Sequence, residues 1–138
     1  MPWLFYAFVS AGASALTAIL GKLGVEGVPS TLATAIRTLV VLIALSSMVF
    51  VLGERSAISS IARRSMIYLI LSGLATGVAW FAYYRALQLG PASRVAPIDK
   101  LSLPLTIMIA AVWLREPMSW RLIGGVALMT IGALLTLS

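Results

Sequence analysis

The chain contains neither cysteine nor histidine, and only four of its 138 residues are acidic. Without these residues it has no disulfide bond, no thiolate, and neither the commonest metal ligand nor the usual general base. The carboxylates are scattered, without metal-ligand spacing, at Glu26, Glu54, Asp99 and Glu116. We therefore expect no metal, no cofactor and no enzymatic activity, because even a lipid-modifying transferase would need a His, Cys or paired-acid site.

Charge is also scarce, since charged residues make up 10% of the chain and hydrophobic residues 61%. With a mean hydropathy of +1.05, the composition indicates a membrane protein. The start, MPWLFYAF, lacks the basic segment of a cleavable signal peptide, so we expect no leader to be removed. The net charge of +6 comes from bases at the ends of apolar runs, which favours anionic lipid headgroups over nucleic acid as their partner.

Five apolar stretches are each about long enough to cross a hydrocarbon core, which takes around 20 helical residues. They are Trp3–Leu20, Thr31–Leu52, Met66–Leu87, Ala92–Leu114 and Trp120–Leu137. Helix is expected, because an open sheet cannot satisfy its edge groups in lipid. The third and fourth connections are short, which makes the last three spans antiparallel neighbours. The predicted fold is an all-α membrane bundle of five transmembrane helices in a single domain, residues 1–138.

Small residues occupy positions that allow membrane helices to approach closely. Gly73 and Gly77 form a GxxxG pattern in the third span, and Gly125 and Gly132 lie two turns apart in the fifth. We expect these glycines to pack within the bundle, with dimerisation as the alternative.

Basic residues are divided almost evenly between the two sides of the membrane. The side of the second and fourth connections carries Arg55, Arg63, Arg64, Arg115 and Arg121. The other side carries Lys22, Arg85 and Arg94, with Arg37 and Lys100 inside spans but nearer that side. The positive-inside rule favours an N-in, C-out orientation by a narrow margin. If the two embedded bases are counted, the sides balance and the chain satisfies the rule in either orientation.

Three charged residues lie well inside the predicted spans, more than one helical turn from either end. Arg37 follows Ser30 by seven residues and Asp99 follows Ala92 by seven, so each is roughly 10 Å along its helix from the same membrane surface. A charge near a helix centre costs about 2.5 to 3.5 kcal/mol, which predicts a shared interior for Arg37, Asp99 and Lys100. Because adjacent helical residues point about 100° apart, Asp99 is expected to pair with Arg37 instead of sharing one neighbour with Lys100. The pair is either part of a pathway or a structural staple.

Aromatic residues share the depth of these charges. Trp80, Tyr83 and Tyr84 occupy one face near the end of the third span. They are predicted to line the same vestibule, and an ordinary interfacial belt is the alternative.

Two prolines, Pro97 and Pro104, lie two turns apart on one face of the fourth span. Each removes a helical donor from the carbonyl four residues earlier, which predicts a kinked helix with a role in gating. A simple tilt of the helix is the alternative.

Three stretches carry a family resemblance. They are "AILGKLGVEGVPSTLATAIRTLVVL", "YYRALQLGPASRVAPIDKLS" and "WLREPMSWRLIGGVALMTIGALL". The chain resembles the EamA-type domain of the drug/metabolite transporter superfamily, especially its short members with one five-helix domain. Such domains commonly read Gly-Glu where this chain has Arg115-Glu116, which we interpret as a surface difference. The resemblance implies a multi-pass protein of a bacterial or archaeal inner membrane, whose longer relatives carry two inverted domains and move small metabolites or drugs.

The predicted function is secondary transport of small solutes by alternating access in an antiparallel homodimer with dual topology. Arg37 and Lys100 against Asp99 leave one net positive charge, which favours amino-acid-like, zwitterionic or anionic solutes over cationic drugs. The alternatives are an accessory or assembly subunit of another membrane protein, and a multidrug exporter. The related four-helix small multidrug transporters use a carboxylate in their first helix, and the first span here has none.

Overall fold

A computed structural model of the chain describes residues 2–137, and all regular elements in that range are helical. The α-helices are α1 Pro2–Gly24, α2 Ser30–Val51, α3 Arg63–Leu89, α4 Ala92–Asp99, α5 Ser102–Trp113 and α6 Trp120–Leu135. A 3₁₀ helix, Glu54–Ser60, lies between α2 and α3. The all-helical prediction is therefore confirmed for the described residues.

Four of the described segments are long and apolar enough to cross a membrane. They are Pro2–Gly24, Ser30–Val51, Arg63–Leu89 and Ala92–Trp113, the last of which comprises α4 and α5. The remaining apolar helix, α6, has 16 residues and is shorter than the roughly 20 that a span needs. A bundle of five full spans therefore stays a prediction.

The fourth predicted span, Ala92–Leu114, contains two helices, α4 and α5, with a break between them at Lys100 and Leu101. Pro104 has no N–H to offer the carbonyl of Lys100, which accepts instead from the N–H of Leu103 at 3.0 Å. The N–H of Leu101 likewise bonds only three residues back, to Ile98 at 3.0 Å. This tightened turn separates α4 from α5. Pro97, in contrast, lies within α4 and does not end it.

The connection after α5 has an unusual backbone. Arg115 has φ +54°, in the left-handed region that favours glycine. The chain turns back there, so that the N–H of Glu116 reaches the carbonyl of Ala110 at 3.3 Å. Glycine, which the similar domains commonly have at this position, adopts this conformation readily. The replacement of that glycine by Arg115 therefore affects the backbone and not only the surface.

The described residues divide into two compact units. One comprises the residues up to Ile19 and those from Leu89 onward, and in it α6 contacts both α4 and α5. The other is Leu20–Gln88, which contains the end of α1, all of α2 and the 3₁₀ helix, and nearly all of α3. The prediction of a single domain is not tested by this division.

The packing of the second unit is tightest where the end of α1 meets the end of α3. The side chains of Val25, Tyr84 and Leu87 are buried there, with Leu87 fully enclosed. Gly21 allows the approach, because a Cβ at this position would lie 3.0 Å from Cε1 of Tyr84 and 3.6 Å from Cδ1 of Leu87. Gly21, which was not among the glycines predicted to pack, therefore allows this close approach.

Replacing Gly21 with alanine is expected to leave the free energy of unfolding about 1 to 3 kcal/mol lower than the same replacement at Gly12, because the buried Tyr84 ring must move to admit the methyl group. Gly12→Ala is the matched control in α1, since a Cβ at Gly12 meets no atom within 4 Å. Thermal unfolding in detergent micelles measures both variants. Equal stability of the two variants would contradict the packing described here.

The glycines that were expected to pack have open surroundings in the single chain. Among the described residues, a Cβ at Gly73, Gly77, Gly125 or Gly132 meets no atom within 4 Å from outside its own helix. Large apolar side chains are also exposed along the helices, among them those of Phe5, Leu42, Val78, Val112 and Leu128. The packing role of the glycines therefore stays a prediction.

Candidate functional site

Arg37 in α2 reaches across to α3. Its guanidinium carbon lies 3.1 Å from the ring centroid of Trp80. Arg37 lies in the third turn of α2, and Trp80 lies in the second half of α3. Both side chains are partly buried. A cation over an indole face gains about 0.5 to 2 kcal/mol, the higher figure applying where water is excluded.

The ring of Trp80 belongs to an aromatic cluster. Its centroid lies 5.5 Å from that of Tyr83 and 5.7 Å from that of Tyr84, and both contacts are edge-to-face. The two tyrosine rings are 6.4 Å apart. The structure thus brings together four predicted site residues, Arg37, Trp80, Tyr83 and Tyr84, which we call the Arg37 cluster.

Threonine hydroxyls accompany the Arg37 cluster along both helices, and the sequence analysis missed them. Thr34 and Thr38 donate to the carbonyls four residues earlier in α2, each at 2.8 Å. Thr76 in α3, one turn before Trp80, does the same at 2.9 Å. Since each hydroxyl proton is used within its own helix, these oxygens offer acceptor lone pairs to a solute. The sequence signal was the spacing of Thr34 and Arg37, which places them on one face.

Asp99 and Lys100 lie at the end of α4 and interact with each other. Oδ2 of Asp99 is 3.7 Å from Nζ of Lys100. The expectation that these neighbours diverge assumed a continuous helix, whereas Lys100 is the C-cap residue where the helix ends. The pairing of Asp99 with Arg37 stays a prediction.

A set of hydrogen bonds around Gln88 joins the end of α3 to the first connection, and we call it the Gln88 clamp. Nε2 of Gln88 donates to the carbonyls of Val25, at 3.2 Å, and of Val28. Oε1 accepts from Nη1 of Arg85 at 3.3 Å. Lys22, expected to be a charge outside the first span, lies within α1 and donates to the carbonyl of the residue before Gln88. The clamp fixes the backbone of the first connection to the end of α3.

Long apolar helices that carry an embedded cation and an aromatic cluster define a multi-pass helical membrane protein. Within residues 2–137, no group of three or more acidic side chains could hold a metal ion.

Residues 1–138 match the EamA-like transporter family, and the chain belongs to that family. It is 44% identical over 133 residues to a protein of Sinorhizobium sp named "Uncharacterized transporter in cobO 3'region", which covers 96% of this chain and 94% of that relative. No solved structure shows significant similarity to the chain. The family resemblance seen in the sequence is thereby confirmed, and the protein is a membrane transporter and not an enzyme.

Proposed function

We propose that the protein transports small solutes that carry a carboxylate group, either zwitterionic, as amino acids are, or anionic. The observation that carries this proposal is the contact of the Arg37 guanidinium with the Trp80 ring. Arg37 is seven residues into α2, about 10 Å from its start, where an ionisable group is costly unless it faces protein or a wet cavity. An embedded cation of this kind usually marks a solute pathway.

The stacking geometry supports a carboxylate as the ligand. A guanidinium carries its N–H donors in its own plane, so a ring against one face leaves donors directed along the edge. That edge matches the two oxygens of a carboxylate. The Trp80 ring does not neutralise Arg37, whereas Asp99 and Lys100 partly neutralise each other. A net positive charge therefore remains for an anionic group.

The threonine oxygens favour amino-acid-like solutes within this class. Acceptor oxygens near the level of Arg37 belong to Thr34, Thr38 and Thr76, and the face of the Tyr83 ring attracts cations. A zwitterion could place its carboxylate on Arg37 and its ammonium group against these acceptors.

Two copies packed antiparallel would provide alternating access. Longer relatives are expected to contain two inverted domains, and a chain with one domain reproduces that arrangement as a homodimer. The exposed apolar helices and the open surroundings of Gly73 and Gly77 leave surface for a second copy. In this proposal the tight turn between α4 and α5, with Pro97 and Pro104 on either side, is the gating element.

Flux of chosen solutes into liposomes that contain the purified protein tests the solute class. We expect saturable uptake of labelled alanine or glutamate, and uptake of the cation tetraphenylphosphonium no greater than into protein-free liposomes. Liposomes that contain the protein with Arg37→Met are the control. Uptake of the cation without uptake of either carboxylate would favour a multidrug exporter and overturn the proposal.

Reporters fused after Ser138 and inserted near Ser59 test the dimer. An antiparallel homodimer requires each reporter to be found on both sides of the membrane. One orientation for all copies excludes it. Mild solubilisation that yields a stoichiometric complex with an unrelated membrane protein would instead favour the accessory subunit.

A further inference from the structure

The connection between α2 and α3 carries positive charge at the membrane end opposite the Arg37 cluster. Arg55, Arg63 and Arg64 are exposed there, with Glu54 as the acidic residue of the segment. Phe50 in the last turn of α2 is 13 residues beyond Arg37, which is about 20 Å along the helix. With the roughly 10 Å from the start of α2 to Arg37, this reaches the thickness of a hydrocarbon core and places the connection at headgroup level.

Two of these arginines lie over aromatic rings. The guanidinium carbon of Arg55 is 3.9 Å from the ring centroid of Phe50, and that of Arg64 is 5.7 Å from that of Tyr68. Phe50 closes α2 and Tyr68 lies in the second turn of α3, so both pairs mark the same end of the two helices. A ring under one face directs the donors of a guanidinium along its edge, which suits a phosphate group.

The 3₁₀ helix between the pairs has the character of an interfacial segment. Gly53, the N-cap residue just before it, has φ +71°, a left-handed conformation that redirects the chain after α2. The hydroxyls of Ser59 and Ser60 bond carbonyls within the same segment, at 3.0 and 2.8 Å. Ile58 is 58% exposed and Ile61 38%. The segment thus satisfies polar groups internally and presents apolar side chains beside arginines.

We propose that this connection binds the phosphate groups of anionic phospholipids. The binding surface, which we call the arginine–aromatic patch, consists of Arg55 on Phe50 and Arg64 on Tyr68, with Ile58 of the 3₁₀ helix in the acyl boundary. Its charge is complementary to an anionic leaflet, and its depth is that of the headgroups. Bound lipid anchors this end of α2 and α3 at headgroup level. The proposal does not depend on which solute is carried.

Lipid titration of the delipidated full chain in mild detergent tests the patch. Native mass spectrometry would measure binding of phosphatidylglycerol and of phosphatidylcholine. We expect phosphatidylglycerol to be preferred, and the double variant Arg55→Gln, Arg64→Gln to bind it about 30-fold more weakly. The matched control is Arg115→Gln, Arg121→Gln, which removes one charge from the fourth connection and one from the first turn of α6. We expect this control to stay within about threefold of the unchanged chain.

A second variant keeps every charge and tests the rings. Phe50→Leu, Tyr68→Leu is expected to weaken binding of phosphatidylglycerol by several-fold while leaving thermal unfolding close to that of the unchanged chain. This variant decides the matter if the arginine variant fails to fold.

Three outcomes would overturn the proposal. Equal losses in the two arginine variants would show that only net charge matters. Equal binding of phosphatidylcholine would show that the headgroup is not recognised. Displacement of the lipid by inorganic phosphate at similar concentrations would identify a site for the free ion and not for a membrane lipid.

Discussion

Replacement of Arg37 by methionine is expected to weaken binding of a carboxylate-bearing solute by about 10- to 100-fold. Hydrogen bonds to charged groups contribute about 1.5 to 3 kcal/mol, and each 1.4 kcal/mol is a factor of ten in affinity. The guanidinium stacked on Trp80 is the donor that this substitution removes. The concentration dependence of alanine or glutamate uptake into liposomes measures the effect as a rise in KM.

Companion variants separate the parts of this effect. Arg37→Lys keeps the charge but loses the planar donors, and Trp80→Leu keeps the donors but loses the ring, so each should give a smaller loss. Arg121→Met removes a charge elsewhere and should leave uptake unchanged. A normal KM in the Arg37→Met protein would remove this residue from the pathway.

Binding can be followed without transport. Trp80 is one of four tryptophans, and a protein with phenylalanine in place of Trp3, Trp113 and Trp120 has it as the remaining indole fluorophore. A carboxylate that draws the Arg37 guanidinium toward itself should change the emission of Trp80. A signal without uptake would show a binding site that does not lead to transport.

Removal of one charge of the Asp99–Lys100 pair is expected to harm the protein more than removal of both. A lone charge near a helix centre costs about 2.5 to 3.5 kcal/mol, and these two side chains lie 3.7 Å apart. Lys100→Met or Asp99→Asn alone should therefore lower insertion of Ala92–Trp113 by about tenfold or more. The double variant should recover most of the loss. Glycosylation sites introduced into the flanking connections measure the inserted fraction.

A further pair of substitutions identifies the partner of Asp99. If Asp99 depends on Lys100, combining Asp99→Asn with Arg37→Met should add the two losses. Recovery in that combination would support the Arg37–Asp99 pair predicted from sequence. Unchanged solute flux in a folded Asp99→Asn, Lys100→Met protein would exclude this pair from the pathway.

The parts of the fold that sequence predicts best are those governed by length and period. The apolar runs around α2 and α3 are long, and helical spacing placed Trp80, Tyr83 and Tyr84 on one face, where the rings do contact one another. Counting residues from the ends of spans also placed Arg37 at the level of these rings, and its guanidinium contacts the ring of Trp80. Depth in the membrane and helix face, both obtained from sequence, were therefore enough to predict that side chains of α2 and α3 lie close together.

Other features depend on local geometry that length and period do not describe. The break at Lys100 arises because Pro104 has no N–H to donate, so the Lys100 carbonyl accepts from Leu103 instead. Asp99 interacts with Lys100 at this break. The left-handed backbone conformation at Arg115 could not be predicted from sequence, because arginine rarely adopts it. Gln88 was overlooked because a single amide at the end of an apolar run gives no pattern until its carbonyl partners are known.

The Gln88 clamp grips main-chain oxygens of the first connection and none of its side chains. The clamp therefore places no demand on the exposed side chains of that loop, whereas Val25 is buried and Gly27 has φ +74°. Glu26, between the two gripped carbonyls, has such an exposed side chain. Substitutions at Glu26 can therefore change the charge or size of the first connection while the end of α3 keeps its hold on that connection.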